Sequence, residues 1–555
     1  MFNKVFLLII LLVSTTLLPH PTQATPIEKR NVIFMIMDGT NQTATTLARW
    51  YKEEPLVLDE MATGLVRTYS KPSIVTDSAA AGTALSTGMK TFKDYVGIVP
   101  GGEAATGDGK PVATIMEAAK LEGYRTGLVV TAPVQHATPA TFSSHVMNRN
   151  QFQDIAKQQV YLGMDVVMGG GVESLVPTQN SEKRNSQGAD KELKSIPMLP
   201  KNTGRTDGEN LLEVIRNKGY SLVQTKQELA QVRSAHIWGA FSTDDMLYDF
   251  DRIATHSDQP SLAQMTEKAL NVLEETSEKG FFLLVEGSKV DWAAHQNDPI
   301  GIVSEVLAFD EAVGRALNFA KTHQNTELVV VTDHGNSGLT IGNEETNKTY
   351  ATTKFNQVID PLKKATHTVE GAVSLLNQRH SNVKEVAEAY GLDGLSDEEF
   401  DQLKTAAYEG DTAMKNALTT LLAKRAHLGF TTHGHTGEDV VLYAYGGDGN
   451  WSGTWDNTDL PKKMAKHLGV SLEGTTRALL VDANAWLSDH GYNTHLADTN
   501  GENIVLVASK RGLPTLRFPA NKNIVLIGEN QVELPGVTVF INGRFYLPNE
   551  GLPRQ

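Results

Sequence analysis

The chain has 555 residues, 40% of them hydrophobic and 21% charged, which is typical of folded globular proteins and argues against a disordered chain. The formal net charge is −15 and the sequence has no basic run, so we do not expect a nucleic-acid-binding protein. The absence of cysteine excludes disulfides, thiolate catalysis, thiolate zinc sites and a lipoprotein anchor. A metal site in this chain must therefore use histidine, carboxylate and hydroxyl ligands.

Residues 1–24 have the pattern of a secretory signal peptide. Lys4 precedes the mostly apolar run Val5–Leu18, and Ala24 ends a stretch suited to cleavage. The run is short for a membrane span and no later run approaches that length, which favours a cleaved signal over an uncleaved anchor. We therefore expect an exported protein, periplasmic or extracellular, with no stable membrane anchor.

Apolar runs that alternate with helical patterns indicate the fold class. The runs are "NVIFMIMDG", "TGLVVTA", "FFLLVEGS", "ELVVVTDHG" and "DVVLYAYGG", and each fits a strand buried on both faces. Helices are predicted over Ser261–Gly280, with Gly280 as the C-terminal cap, and over Pro299–His323. This alternation predicts an α/β protein, a three-layer α/β/α sandwich around a central, mostly parallel sheet.

Two regions depart from the alternating pattern. We expect residues 25–490 to form the main domain, within which residues 343–430 are an inserted, mainly helical region covering one edge of the site. Short apolar runs near the end predict a small β-rich C-terminal extension over residues 491–555.

Polar residues follow several of the predicted strands. Asp38, Glu286, Asp333 and His334 all lie at predicted carboxyl ends, where open α/β sheets bind their ligands. Taken alone, Asp38, Asp333 and His334 are better explained by turns or by a solvated surface group. Because they recur at the same edge of one sheet, we expect them to form a common site.

Two further segments add histidines to this set. In "VEGSKVDWAAH", Asp291 and His295 are four residues apart, so a helix would place them on one face, as in many zinc sites. "THGHTGED" offers His433 and His435, of which only one need be a ligand. Carboxylate and imidazole ligands fit zinc, and an all-oxygen set fits magnesium. The residues therefore predict a two- or three-metal hydrolase, a pattern suited to phosphoryl transfer.

The stretch "SIVTDSAAAGTALSTG" contains a candidate nucleophile. Thr76, Asp77 and Ser78 can each cap the helix that follows, so capping alone does not single out the serine. A nearby zinc ion and a helix N-terminus would both favour the ionised hydroxyl of Ser78. The same N-terminus would offer backbone N–H groups to a phosphate.

Six motifs, in order, resemble those of the alkaline phosphatase family over roughly residues 30–450. They are "DGT", "TDSAAAGTALSTGMKT", "ATPATFSSHVMNR", "VEGSKVDWAAH", "TDH" and "HTGED". The resemblance implies hydrolysis of small-molecule phosphate monoesters at alkaline pH through a phosphoserine, with two zinc ions and one magnesium ion. It also implies a homodimer.

The resemblance assigns roles to individual residues. Ser78 is the implied nucleophile and Arg149 the implied phosphate-binding arginine. The implied ligands are Asp291, His295 and His435 for one zinc, Asp38, Asp333 and His334 for the second, which also contacts Ser78, and Asp38, Thr138 and Glu286 for magnesium.

Two positions depart from the best-known bacterial form of the family. His136 stands where that form has Asp, which weakens the negative charge around the magnesium site. Trp292 stands where it has Lys, so we expect phosphate to bind less tightly, although Trp292 is also explained by simple packing.

Other functions remain to be weighed. A related phosphodiesterase or sulfatase would share the metals, but diesterases often use Thr as the nucleophile, and sulfatases need a modified Cys or Ser in a different motif. A protein that binds metal or phosphate without catalysis would retain the same residues and show no turnover.

Overall fold

The computed structural model describes residues 28–101, 109–178, 204–447, 449–498, 503–549 and 552. The predicted signal peptide lies outside these residues and stays a prediction. Among the described residues, no helix combines the length and apolar character that crossing a membrane requires.

One ten-stranded sheet forms the centre of the described part of the chain. Its strands in chain order are β1 (Asn31–Met37), β2 (Ala62–Arg67), β3 (Arg125–Pro133), β4 (Val166–Gly170), β5 (Ser221–Val223), β6 (Ile237–Ala240), β7 (Phe281–Gly287), β8 (Thr326–Val331), β9 (Val440–Gly446) and β10 (Gly453–Asp456). Across the sheet the order is β10-β2-β9-β8-β1-β7-β3-β4-β6-β5.

Most neighbouring strands are parallel. β1 pairs in parallel with β8 on one side and β7 on the other, and parallel pairing continues to β5 at the edge. β9 is antiparallel to β8 and β2, while β10 is parallel to β2. The predicted mostly parallel sheet is confirmed.

Both faces of the sheet are buried. In β1, Ile33 and Met35 belong to one core cluster, whereas Val32, Phe34 and Ile36 belong to the cluster on the opposite face. A strand covered on both faces needs apolar residues at every position, which explains the unbroken run in the sequence. The predicted three-layer α/β/α arrangement is confirmed.

Helices form the two outer layers, the inserted region and part of the C-terminal region. They are α1 (Gln42–Lys52), α2 (Ser78–Thr87), α3 (Ile115–Leu121), α4 (Ala137–Ser143), α5 (Phe152–Leu162), α6 (Leu211–Asn217), α7 (Lys226–Gln231), α8 (Asp249–Ala254), α9 (Leu262–Thr276), α10 (Lys289–His295), α11 (Pro299–Thr322), α12 (Phe355–Lys363), α13 (Val369–Ser374), α14 (Val383–Ala389), α15 (Asp397–Glu409), α16 (Asp411–Arg425), α17 (Asp459–Leu468), α18 (Leu472–Leu479) and α19 (Ala483–Asp489).

The helix predicted over Ser261–Gly280 ends earlier than expected. Ser261 caps its N-terminus, but the C-terminal cap is Ser277, so the prediction of Gly280 as the cap is wrong. Gly280 instead has a φ of +118°, and a Cβ there would lie 1.9 Å from the carbonyl oxygen of Arg30. Glycine is needed because the chain passes close to another backbone as it enters β7.

Helices α12–α16 lie within the predicted insertion, residues 343–430. A two-strand ladder, Thr340–Ile341 with Leu428–Gly429, brings the chain before and after these helices together. The buried carboxylate of Asp298 accepts hydrogen bonds from Val369 N, at 2.9 Å, and from the Tyr390 hydroxyl, at 2.7 Å. The helical region is therefore fixed to the segment that follows α10.

The described residues of the C-terminal region form an antiparallel five-stranded sheet. Its strands are Asn493–Ala497, Val505–Ser509, Leu516–Pro519, Ile524–Ile527 and Asn530–Glu533. This sheet packs on an apolar cluster of its own that includes Leu506, Phe518 and Phe545. Two further short strands, Val539–Ile541 and Arg544–Leu547, form a three-stranded sheet with Val481–Asp482, which precedes this region.

A second buried carboxylate fixes the inserted region and gives a test of this attachment. Asp251 accepts hydrogen bonds from Thr368 N at 2.9 Å and from its hydroxyl at 2.6 Å. Asp251→Ala leaves both donors buried without a partner, so we expect a loss of about 1–3 kcal/mol of local stability. Hydrogen exchange should become roughly tenfold faster in α13, Val369–Ser374. Asp360→Ala, at an exposed position, is the control, and equal exchange in both variants would contradict this attachment.

Candidate active site

The carboxyl ends of three adjacent strands carry the acids predicted from the sequence. Asp38 follows β1 directly, and Glu286 lies near the end of β7. Asp333 lies two residues after the end of β8. Since β1 lies between β7 and β8 in parallel register, these side chains meet at one edge of the sheet. All three are fully buried.

Asp333 and His334 form the part of the site nearest β8. Backbone N–H groups of Gly39 and His334 donate to Oδ1 of Asp333, at 3.1 and 3.0 Å. The other oxygen, Oδ2, lies 3.1 Å from Nε2 of His334. The same Nε2 lies 3.6 Å from Oδ1 of Asp38, so the residues of two strands face a common point.

Helix α10 supplies the second part of the site. Asp291 and His295 lie one turn apart, with Asp291 Oδ2 and His295 Nε2 separated by 3.4 Å. His435 lies opposite them, with its Nε2 3.7 Å from Asp291 Oδ1 and 3.2 Å from His295 Nε2. The structure thus brings together Asp291, His295 and His435, which come from two segments far apart in the sequence.

The outer ring nitrogens of these histidines face backbone carbonyls. Nδ1 of His295 lies 2.6 Å from the carbonyl oxygen of His433, and Nδ1 of His435 lies 2.8 Å from that of Thr76. These partners assign the ring proton to Nδ1, which leaves both Nε2 lone pairs directed inward. Two lone pairs 3.2 Å apart repel each other unless a cation lies between them, so this donor set fits zinc.

The rings of His433 and His435 have different surroundings. The His435 ring faces the cluster, whereas Nδ1 of His433 contacts the carbonyl oxygen of His295 at 3.0 Å. The ring of each histidine, His295 and His433, thus contacts the backbone carbonyl of the other, and His433 helps to position His295 in this way.

A group of buried oxygens lies beside the histidines. Both carboxylate oxygens of Asp38 and of Glu286, and the hydroxyl of Thr138 in α4, have no hydrogen-bond partner among the described residues. Such unpartnered buried groups are costly, and a divalent cation would satisfy them together. An all-oxygen donor set fits magnesium.

The electrostatics of the cluster point to the same need for cations. Burial raises the pKa of Glu286 to about 8, and the charge of Asp333 acts in the same direction. Burial and the charge of Asp333 also raise the pKa of Asp38 well above its usual range. Burial opposes ionisation of Asp291 too, but a hydrogen bond from His295 and the neighbouring histidines outweigh it and lower that pKa.

Ser78 lies at the first position of helix α2. Its neighbour Asp77 is the N-cap, with Oδ1 accepting from Ala80 N at 3.1 Å. The Ser78 hydroxyl is therefore not used for capping, and its Oγ lies 3.2 Å from Nε2 of His334. Although Ser78 is only 2% exposed, it faces the acid–histidine cluster at a helix N-terminus.

Arg149 is held beside this helix by two side chains. Its guanidinium contacts Asp77 Oδ2 and His136 Nε2, each at 3.3 Å. Burial and the positive charge of Arg149 lower the pKa of His136 to about 4. A neutral His136 ring can accept a hydrogen bond from Arg149, and its edge packs on Trp292 with the ring centres 5.4 Å apart.

Three residues that the sequence did not single out as part of the site support it. Asp77 was considered only as a cap, yet it also contacts Arg149. Asn336 donates to Oδ1 of Asp291 at 2.7 Å. Gly39 has a φ of +63°, and a Cβ there would lie 2.3 Å from Asp291 Oδ1. The sequence signal that could have identified Gly39 and Asn336 is their position shortly after the strand-end acids Asp38 and Asp333.

The fold and the site define a class of protein, an α/β/α hydrolase with buried carboxylates, imidazoles and one serine at the edge of a parallel sheet. The chain belongs to the alkaline phosphatase family, whose model, described as "Alkaline phosphatase", matches residues 29–470. The predicted family and enzyme class are confirmed.

Individual relatives agree with this assignment. The chain is 32% identical to alkaline phosphatase 3 of Bacillus subtilis, over 80% of this chain and 90% of the relative. It is 32% identical to the repressible alkaline phosphatase of Saccharomyces cerevisiae, over 81% and 83%. The crystal structure of Thermus thermophilus alkaline phosphatase is 28% identical with a TM-score of 0.68, covering 82% of this chain and 96% of that one.

The raised pKa of Glu286 predicts a pH-dependent stability of the metal-free protein. An acid whose pKa rises from 4.5 to about 8 on folding stabilises the fold in its protonated form, and this stability is lost as pH rises through that range. We therefore expect the melting temperature of chelator-treated protein to fall between about pH 4.5 and about pH 8. Glu286→Gln should flatten this fall, and parallel curves for the two proteins would contradict the assignment.

Proposed function

We propose that this protein hydrolyses small phosphate monoesters at alkaline pH and releases inorganic phosphate through a phosphoserine at Ser78. The observation that carries the proposal is the Ser78 hydroxyl, which is free of the helix cap and 3.2 Å from His334 within the acid–histidine cluster. Membership of the alkaline phosphatase family supports the substrate class.

Two zinc ions and one magnesium ion are the cofactors we propose. When bound, they would supply Lewis-acid stabilisation of the charge on the attacking and leaving oxygens. The proposed ligands are Asp291, His295 and His435 for the first zinc, Asp38, Asp333 and His334 for the second, and Asp38, Thr138 and Glu286 for magnesium.

Ser78 and Arg149 would act directly on the substrate. Oγ of Ser78 forms a bond to phosphorus in line with the ester oxygen, and the bond from phosphorus to the alcohol breaks. The N-terminus of α2 favours the ionised serine oxygen. The planar guanidinium of Arg149 binds two phosphoryl oxygens. Water then displaces Oγ from phosphorus, which releases phosphate and restores the serine.

Asp77, His136 and Trp292 would act through Arg149 and the phosphate pocket. Asp77 and His136 hold the guanidinium from two sides. Trp292 places an apolar ring where the best-known bacterial form has a cation, which is why we propose weaker phosphate binding than in that form. Export from the cell and assembly as a homodimer also remain proposals.

A comparison of three aryl esters tests the reaction. With zinc and magnesium at alkaline pH, we expect rapid hydrolysis of the phosphate monoester and far slower hydrolysis of the phosphate diester and the sulfate. A chelator should abolish turnover because the buried carboxylates and imidazoles then lack their ions. Preferred diester hydrolysis would reassign the substrate, and metal-loaded protein without turnover would contradict an enzymatic role.

Replacement of the nucleophile tests the intermediate. Ser78→Ala should lower kcat/KM for the monoester by at least about 10³-fold, because the covalent step is lost. Acid quenching during turnover should trap phosphate on the parent and not on the variant. Zinc content measured on both proteins serves as the control for an intact metal site. Labelling of the variant, or near-parental activity, would exclude Ser78 as the nucleophile.

A further inference from the structure

A cavity of about 350 Å³ lies next to the acid–histidine cluster, and we call it the His295 cavity. It is lined by Asp245, Tyr248, Lys289, Trp292, His295, Gln296 and Glu370. Glu370 comes from α13 in the inserted helical region, whereas the other residues come from the segment before α8, from α10 and from the residue after α10. The inserted region thus contributes a side chain to a cavity that touches the site.

The cavity lies on the side from which the alcohol of the ester would leave, a statement that rests on the proposed function. Ser78 Oγ contacts His334, whereas His295 belongs to the donor group that contains His435. In an in-line displacement the leaving oxygen lies opposite the attacking oxygen. The alcohol portion of the substrate therefore faces His295 and the cavity beside it.

The positive charges near this cavity already have partners. The Lys289 ammonium is buried, forms an ion pair with Asp245, and donates to the carbonyl oxygen of Met246 at 2.7 Å. It also lies 3.9 Å from the centre of the Tyr248 ring and, less closely, 5.4 Å from that of the Trp292 ring. Lys415 binds one oxygen of Glu370 at 2.5 Å and does not line the cavity. Neither lysine presents an open cation to a ligand.

The negative charges are more accessible than the lysines. The Glu370 side chain is 53% exposed and that of Asp245 is 30% exposed, compared with 3% for Lys289. Trp292 adds a partly buried aromatic ring to the same wall. A carboxylate and an indole ring together are a chemical setting that favours ammonium groups, through charge and cation–π attraction. The overall charge of −15 also attracts cations.

We propose that the His295 cavity binds the alcohol portion of the substrate and favours alcohols that carry an amine or quaternary ammonium group near the ester oxygen. Glu370 and Trp292 are then specificity-determining residues for the phosphatase reaction. The inserted helical region thereby selects among phosphate monoesters.

Choline phosphate and 3,3-dimethylbutyl phosphate form a matched pair for the test. Their alcohols have the same shape, but only the first carries a charge. Because the two alcohols differ in acidity, the quantity to compare is the ratio of their kcat/KM values, measured in each zinc- and magnesium-loaded protein. Any intrinsic difference between the esters then cancels between the parent and its variants.

Two variants are expected to change this ratio in opposite directions. Glu370→Gln removes the accessible charge and should lower the choline preference about threefold to tenfold. Lys415→Gln frees Glu370 from its ion pair and should raise the preference. Glu385→Gln, an exposed position on α14 outside the cavity lining, is the matched control and should keep the parental ratio.

The outcomes separate this inference from the proposed function. An unchanged ratio in Glu370→Gln, or a fall in both Glu370→Gln and Lys415→Gln, would overturn the role of the cavity. In either case turnover of the neutral ester by the parent would leave the phosphatase function intact. No turnover of either ester by the metal-loaded parent would contradict the proposed function and the inference that rests on it.

Discussion

Four carboxylates are buried together at the carboxyl edge of the central sheet, those of Asp38, Glu286, Asp291 and Asp333. They are almost completely buried, and several of their oxygens have no hydrogen-bond partner among the described residues. Burial, together with repulsion from neighbouring carboxylates, raises the pKa values of Asp38 and Glu286, whereas the neighbouring histidines lower the pKa of Asp291. Backbone and side-chain contacts around the cluster hold these carboxylates close together.

The support comes from backbone and neutral groups around the cluster. Carbonyl oxygens of His433 and Thr76 orient two histidine rings, and backbone N–H groups hold one oxygen of Asp333.

Asp77 connects the two groups that would bind phosphate, because it caps the helix of Ser78 and contacts Arg149. The same carboxylate thus contacts both the helix that carries Ser78 and the guanidinium of Arg149, the two groups proposed to act on the phosphate.

The inserted helices are attached to the main domain close to the acid–histidine cluster. They are fixed by buried carboxylates of the main domain, Asp251 and Asp298, which accept hydrogen bonds from the N-terminal region of α13. That attachment places Glu370 on the same cavity as Trp292 and His295. The residues that would bind the phosphoryl group come from the sheet edge and α2, whereas the alcohol would also meet a residue of the insertion. Under these proposals, different parts of the chain would carry the reaction and the choice of substrate.

The sequence by itself determined the α/β class, the strands and the acids at their ends, because continuous apolar runs and strand-end carboxylates are local patterns. It also indicated the family through ordered motifs. Tertiary structure decided which residues from distant segments contact one another. Gly280 looked like a helix cap, but its role is a close approach to Arg30, which no local pattern records. Likewise, His435 rather than His433 faces the cluster, and Asp77 meets Arg149 from a distant segment. These outcomes depend on contacts between residues far apart in the chain. Such residues come close to each other only when the sheet has formed.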